Sequence, residues 1–200
     1  MNTAVILAGG ASRRMGRDKP ALLFEGKTFL QGAVERFSAV FDKVYVSVAD
    51  GAKYPEVTAQ RVVDAYPGCG PMAGLHAALL ACEGEGVFLV AADLPFSDPS
   101  AALRLIELAG DEYDVCLTKD ADGRFEPLFA YYKKTLLPAV EALLRGGRYK
   151  MIALFDSAKV RVVTPEELGE NWDDKTLLNV NYYEEYQRLT DTEKNSFVST

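Results

Sequence analysis

Ala4-Val5-Ile6-Leu7-Ala8-Gly9-Gly10-Ala11-Ser12-Arg13-Arg14-Met15-Gly16-Arg17-Asp18-Lys19 is the stretch on which the reading of the fold turns. Its first five residues form a continuous apolar run that ends at paired glycines, as expected for a central parallel strand buried on both faces. A loop of glycines and cations follows, and then a helix is expected. Phe29, Leu30, Ala33, Val34, Phe37, Val40 and Phe41 recur at spacings of three, four and seven, so one face from about Thr28 to Phe41 is apolar.

The same alternation continues outward. Strands are expected at Val44–Val48, Arg61–Val63 and Val87–Ala92, with a helix from about Met72 to Cys82 between the last two. Asp98-Pro99 reads as a helix cap followed by proline in the first turn, opening a helix to about Ala109. Further strands are expected at Tyr113–Thr118, Phe125–Tyr132 and Lys159–Val163, with a helix from Lys134 to Leu144 closed by Gly146-Gly147. Thr164-Pro165-Glu166-Glu167 has the residues of a capping box. Alternating strands and helices point to an α/β domain with a largely parallel sheet, and the less regular second half is expected to build a second binding face on it. Repeats and low-complexity segments are absent, so residues 1–190 read as one domain and 191–200 as a flexible polar tail.

Composition agrees with that reading. The chain has 200 residues, 48% hydrophobic and 26% charged, enough for a sizeable core. Cys69, Cys82 and Cys116 are odd in number and widely spaced, which argues against a disulfide framework and for a reducing compartment; with the single His76 they make a structural zinc site improbable. The N-terminal apolar run is too short for a signal peptide and nothing later approaches a membrane span, so a cytoplasmic protein is expected, with no membrane partner. Its net charge of −7 disfavours nucleic acid. Residues 1–19 nevertheless carry four cations against one acid, net +3, leaving −10 for the remainder. A cationic loop on an acidic body suits a compact polyanion.

Three candidate sites fall at strand ends, where loop amides of open α/β sheets are free to meet ligands. In Leu7–Lys19, glycines let the backbone approach a ligand and Arg and Lys supply charge-assisted bonds to phosphate. It lacks the Gly-Lys-Ser/Thr of a P-loop and the Gly-x-Gly-x-x-Gly of a dinucleotide site. A solvated basic turn is the weaker alternative, because crowded cations repel one another without an anion. Asp93 directly follows the strand at 87–92, where a carboxylate can hold Mg²⁺ or cap a turn. Asp64 precedes the Gly- and Pro-rich loop Ala65–Pro71, where it can accept from the N1–H and N2–H₂ edge of guanine, bind a ribose or form a turn. His76, inside a helical stretch, reads as a packing residue.

Leu-Ala-Gly-Gly-x-Ser-Arg-Arg-Met-Gly-x-Asp-Lys at 7–19, Gly70–Leu75, Asp93-Leu94-Pro95, Glu126-Pro127-Leu128 and Asn179-Val180-Asn181 together resemble the molybdenum cofactor guanylyltransferases, in family order over about residues 3–182. The resemblance implies a three-layer, Rossmann-like nucleotidyltransferase fold with a mostly parallel central sheet flanked by helices. It implies that GTP and molybdopterin are the substrates, Mg²⁺ the cofactor and pyrophosphate the by-product. Leu7, Ala8, Gly9 and Gly10 would meet the nucleotide, the first three through their backbone. Lys19 would bind phosphate, Ser47 and Asp64 would lie on the nucleoside side, and Asp93 would hold the metal; Arg14 joins Lys19 and Asp93 as the catalytic set. Ser47 stands where some relatives have Asn, and Tyr182-Tyr183 where many have Thr-Pro.

Two further expectations concern the ends of the site. Arg148 and Lys150, with Glu126, Asn179 and Asn181, are candidates for the pterin side, the first two because they precede Met151–Phe155 and would mark a helix start. Gly9, where cytidylyl relatives carry Ala, is expected to leave room for a purine and to supply dihedrals open only to glycine. Competing readings are a cytidylyl- or sugar-nucleotidyltransferase of the same fold, separated by nucleotide preference, and a non-catalytic cofactor carrier, separated by pyrophosphate release. Cofactor-biosynthesis and molybdoenzyme-maturation proteins are the partners that the resemblance implies.

Overall fold

Ala4, Val5 and Ile6 have no exposed surface, because the strand that holds them has neighbours on both edges and helices on both faces. The computed structural model describes residues 1–9, 18–180 and 186–187. In chain order these form β1 (Thr3–Leu7), β2 (Leu23–Phe24), β3 (Lys27–Thr28), α1 (Phe29–Ser38), β4 (Lys43–Val48), β5 (Gln60–Val63), α2 (Pro71–Ala81) and β6 (Gly86–Ala91). α3 (Pro99–Ala109), β7 (Val115–Lys119), β8 (Phe125–Lys133), α4 (Leu137–Arg145), β9 (Val160–Val162) and α5 (Pro165–Leu168) follow. Seven strands make one sheet in the order β5-β4-β1-β6-β8-β7-β9. β8 alone runs against the others.

The register brings the functional ends together. Leu7 of β1 lies opposite Ser47 of β4 and Ala91 of β6, so three parallel strands finish level and release their loops on one edge. Side chains alternate across the sheet as strand geometry requires. Ala4 and Ile6 pack with Leu30, Ala33 and Phe37 of α1 and Ala101 and Leu105 of α3. Val5 and Leu7 pack with Met72, Leu75 and Leu79 of α2 and Val140 and Leu144 of α4. This is the expected three-layer arrangement.

α2 has no polar stripe because it is covered twice, by the sheet beneath and by α4 beside it; Met72 to Leu79 are all buried. Gly74 sets how closely it sits. A Cβ there would come within 2.5 Å of Leu7 Cδ2 and 2.8 Å of Ser47 Oγ. Gly74→Ala should therefore cost about 1–3 kcal/mol through overpacking. Thermal melting should fall by roughly 2–4 °C per kcal/mol. An unchanged melting temperature would show that α2 can shift without loss.

Caps close at several helix starts, that of α1 without having been expected. Thr28 Oγ1 accepts from Gln31 N–H at 3.1 Å while Gln31 Oε1 accepts from Thr28 N–H at 2.9 Å, a closed capping box. Asp98 accepts from Ser100 N–H at 2.7 Å, with Pro99 in the first turn of α3. Thr164 and Glu167 also close a capping box, yet α5 ends after four residues, where Gly169 takes φ 59°. The helix expected from Lys134 begins as a 3-10 turn, and its α part starts only at Leu137. Met151–Ser157, expected as the start of a helix, is a seven-residue 3-10 helix. The β2–β3 hairpin was not expected; its turn places both Glu25 and Gly26 at positive φ.

Candidate active site

At the level edge of β1, β4 and β6, a cavity of about 210 Å³ is lined by Leu7, Gly9, Lys19, Pro71, Asp93 and Leu128 among others. Lys19 follows the glycine loop and Asp93 follows β6, 74 positions later. Their side chains nonetheless form an ion pair at 2.9 Å, with 15% and 21% of each exposed. An ammonium and a carboxylate are thus held together in a partly dry site, where charge acts more strongly than in water. The eleven-residue α2 begins at the same cavity with Pro71, so the positive end of its dipole adds to Lys19.

Asp64 ends β5 on the same side. Its Oδ1 accepts from Ser47 Oγ at 3.1 Å, and its backbone N–H donates to Val48 O at 3.1 Å. Burial pushes its carboxyl above the usual aspartate range, partly offset by the Ser47 hydroxyl. Ser47 itself is 1% exposed beneath Gly74 of α2, where its hydroxyl holds Asp64 in place. Asp64 Oδ2 lies toward Gly9, 3.8 Å from where a Gly9 Cβ would stand. Gly9 does not take positive φ. What Gly9 contributes is space in front of a carboxylate.

Tyr54 was missed by sequence reasoning. Its hydroxyl lies 2.9 and 3.0 Å from the two Asp18 oxygens and 3.2 Å from the Ala8 carbonyl oxygen. It therefore ties the residue before Lys19 to the residue before Gly9. Burial, then the bond to Asp18, raises its hydroxyl well above the ordinary tyrosine range. Lys53 approaches Asp18 at 3.5 Å, and Arg61 donates to the carbonyls of Lys53, Tyr54 and Val57, fixing the segment that carries Tyr54. No short motif announces such a support, because it joins residues 36 and 46 positions apart.

The second half of the sheet contributes Glu126, at the start of β8. Its Oε1 accepts from Leu128 N–H at 3.0 Å. Burial raises its carboxyl above the usual range, and the Asp93 charge adds to the shift. Val180 N–H donates to Asp93 O at 3.2 Å, docking the Asn179–Val180 segment against the site, and Asn179 Oδ1 is buried without a partner among the described residues. Gly10, Arg14 and Asn181 lie outside the described residues.

Arg148 pairs with Asp156 at 2.9 Å, and Lys150 caps the 3-10 helix Met151–Ser157, too short to offer the α-helical dipole expected of it. The Cys69 thiol, in the loop after Asp64, raises the Tyr149 hydroxyl above its usual range. His76 is 4% exposed, 3.4 Å from Glu141 and edge-on to Tyr66, a packing residue as expected.

Known proteins resemble this chain in architecture and in sequence. The family model for the MobA-like NTP transferase domain matches residues 4–163. A probable molybdenum cofactor guanylyltransferase of Methanosarcina mazei is 32% identical, over 94% of this chain and 89% of that protein. A molybdenum cofactor guanylyltransferase of Campylobacter jejuni is 29% identical, over 92% and 93% of the two chains. The crystal structure of molybdopterin-guanine dinucleotide biosynthesis protein A from Archaeoglobus fulgidus matches with a TM-score of 0.84 at 24% identity, over 96% and 99% of the two chains, a likeness of fold.

Proposed function

The chain belongs to the MobA-like NTP transferase family, and from that premise we propose that it transfers GMP from GTP to the phosphate of molybdopterin and releases pyrophosphate. The observation that carries this reading is the Lys19–Asp93 pair, which shares a cavity edge with Gly9 while Asp64 stands behind Gly9. The acceptor's phosphate oxygen forms a bond to the α-phosphorus of GTP as the bond to the pyrophosphate oxygen breaks. Both substrates are anions, so the protein's work is alignment and charge neutralisation, with no nucleophilic side chain required. Lys19 neutralises phosphate charge as it moves onto the leaving group. Asp64 and the backbone of Leu7 to Gly9 orient the base.

Mg²⁺ fits this donor set. Asp93 is a hard carboxylate at the cavity edge that already attracts one cation, Lys19. Among the described residues no three His, Cys, Asp or Glu side chains gather to hold a metal by themselves. That suits an ion completed by phosphate oxygens and water. When bound at Asp93 it would supply charge neutralisation to the phosphates, beside that of Lys19.

Cys69, Cys82 and Cys116 are all unpaired thiols, in keeping with work in the cytoplasm, and no described helix is long and apolar enough to cross a membrane. Enzymes of cofactor biosynthesis and of molybdoenzyme maturation would supply the acceptor and receive the product.

Nucleotide preference is the decisive experiment. Pyrophosphate release with molybdopterin should favour GTP over both ATP and CTP. Adenine presents an acceptor where guanine presents N1–H, leaving Asp64 unpaired at a cost of about 1–3 kcal/mol. Gly9→Ala should erode that preference more than it weakens phosphate binding, since its methyl would fill the space before Asp64. A wild-type preference for CTP would overturn the guanylyl assignment. Unchanged selectivity in the variant would remove Gly9 from the explanation.

A further inference from the structure

The two substrates of the proposed reaction carry the same recognition edge. Guanine and a pterin each present a ring N–H flanked by an exocyclic amine, two parallel donors that one carboxylate can accept together. Two carboxylates at the sheet end that carries the cavity are built alike. Asp64 is anchored through Oδ1 by Ser47, and Glu126 through Oε1 by the Leu128 N–H. In each, the second oxygen has no hydrogen-bond partner among the described residues. β6 and β8 pair as far as Val90 opposite Phe129, and Asp93 and Glu126 each lie three residues beyond that last pair on their own segments. Glu126 therefore stands on the β8 side of the metal-binding carboxylate, while Gly9 and Asp64 stand on the β1 side.

The residue before Glu126 in the chain is an exposed aromatic, Phe125, 43% exposed. It meets Phe155 of the 3-10 helix edge-on at 5.7 Å, and the Lys119 ammonium lies 5.2 Å from its ring centroid. An exposed aromatic with a cation beside it offers stacking surface and a partner for a carbonyl oxygen.

We infer that Glu126 is the specificity-determining residue for the acceptor, reading the ring N–H and amine of the pterin as Asp64 reads those of guanine. This rests on the guanylyl-transfer reading above, and its test is separable from that reading.

The probes are two fluorescent compounds, a pterin bearing a phosphomethyl group and the matching lumazine phosphate, in which a carbonyl replaces the exocyclic amine. Binding of each is measured by fluorescence titration of the whole protein. The wild type should prefer the pterin by at least roughly tenfold, because the lumazine carbonyl faces a carboxylate. Glu126→Gln should lose that preference, since an amide can pair with either edge, and Glu126→Asp should retain part of it. KM for molybdopterin should rise in Glu126→Gln while KM for GTP and the Mg²⁺ requirement stay unchanged.

Equal or undetectable binding of the two probes by the wild type, or a preference that survives Glu126→Gln, overturns the inference. A raised Mg²⁺ requirement with the pteridine preference intact would make Glu126 a metal partner of Asp93 and overturns it as well. A wild type that releases no pyrophosphate from GTP and molybdopterin removes the underlying reading, whatever the probes do.

Discussion

Lys19→Ala should lower kcat/KM for GTP by about 10²–10³-fold, the usual loss when a preorganised donor to developing charge is removed, while the fold survives. Lys19 lies in the cavity with its ammonium 2.9 Å from Asp93, and neither side chain belongs to the apolar clusters that hold the sheet to its helices. Breaking a pair this close to solvent costs about 1 kcal/mol, less than the 3–5 kcal/mol of a fully buried one. The expected fall in melting temperature is therefore only about 2–4 °C. Pyrophosphate release and thermal melting on the same preparation make the check. Wild-type turnover in the folded variant would remove Lys19 from the mechanism, and a collapse of the melting transition would make its role structural.

The elements that were legible in the sequence were those whose pattern is local. β1 announced itself because a strand covered on both faces can be apolar at every position, and Ala4 to Ala8 are. α1 was readable from the three- and four-residue spacing of its apolar side chains, and α3 from its cap, since Asp98 bonds only two residues onward. β2 and β3 were not, because two residues each cannot display a period. Met151–Ser157 has an apolar start that suits an α-helix, a strand or the 3-10 helix it adopts.

The candidate site divides the same way. Asp64 and Asp93 could be picked out because each follows a buried or half-buried strand directly. That Ser47 serves Asp64 depends on how closely α2 descends at Gly74, and that Tyr54 bridges Ala8 and Asp18 depends on a loop that Arg61 folds back. Glu126 was named from its motif. Its place at the site edge follows only from the one antiparallel strand in the sheet, whose start lies just past the last β6–β8 pair.

Asp93→Asn separates two functions that one carboxylate serves. The amide keeps the shape and can still accept a hydrogen bond from Lys19, so the position of the ammonium and the docking of Val180 on the Asp93 carbonyl should persist. What is lost is the negative charge, and Mg²⁺ depends on it: a hard divalent ion that takes only one or two protein carboxylates loses most of its attraction to the site when one is neutralised. The Mg²⁺ concentration for half-maximal rate should rise by at least roughly tenfold, with saturated kcat down by about 10²-fold. Lys19, no longer neutralised, should meanwhile hold GTP without metal at least as well as in the wild type. A full metal titration of rate, paired with GTP binding in the absence of Mg²⁺, tests both halves. If the metal requirement stayed at its wild-type value, Asp93 would be reduced to an anchor for Lys19. If metal-free GTP binding fell together with the rate, the ion pair itself would be the feature that shapes the nucleotide site.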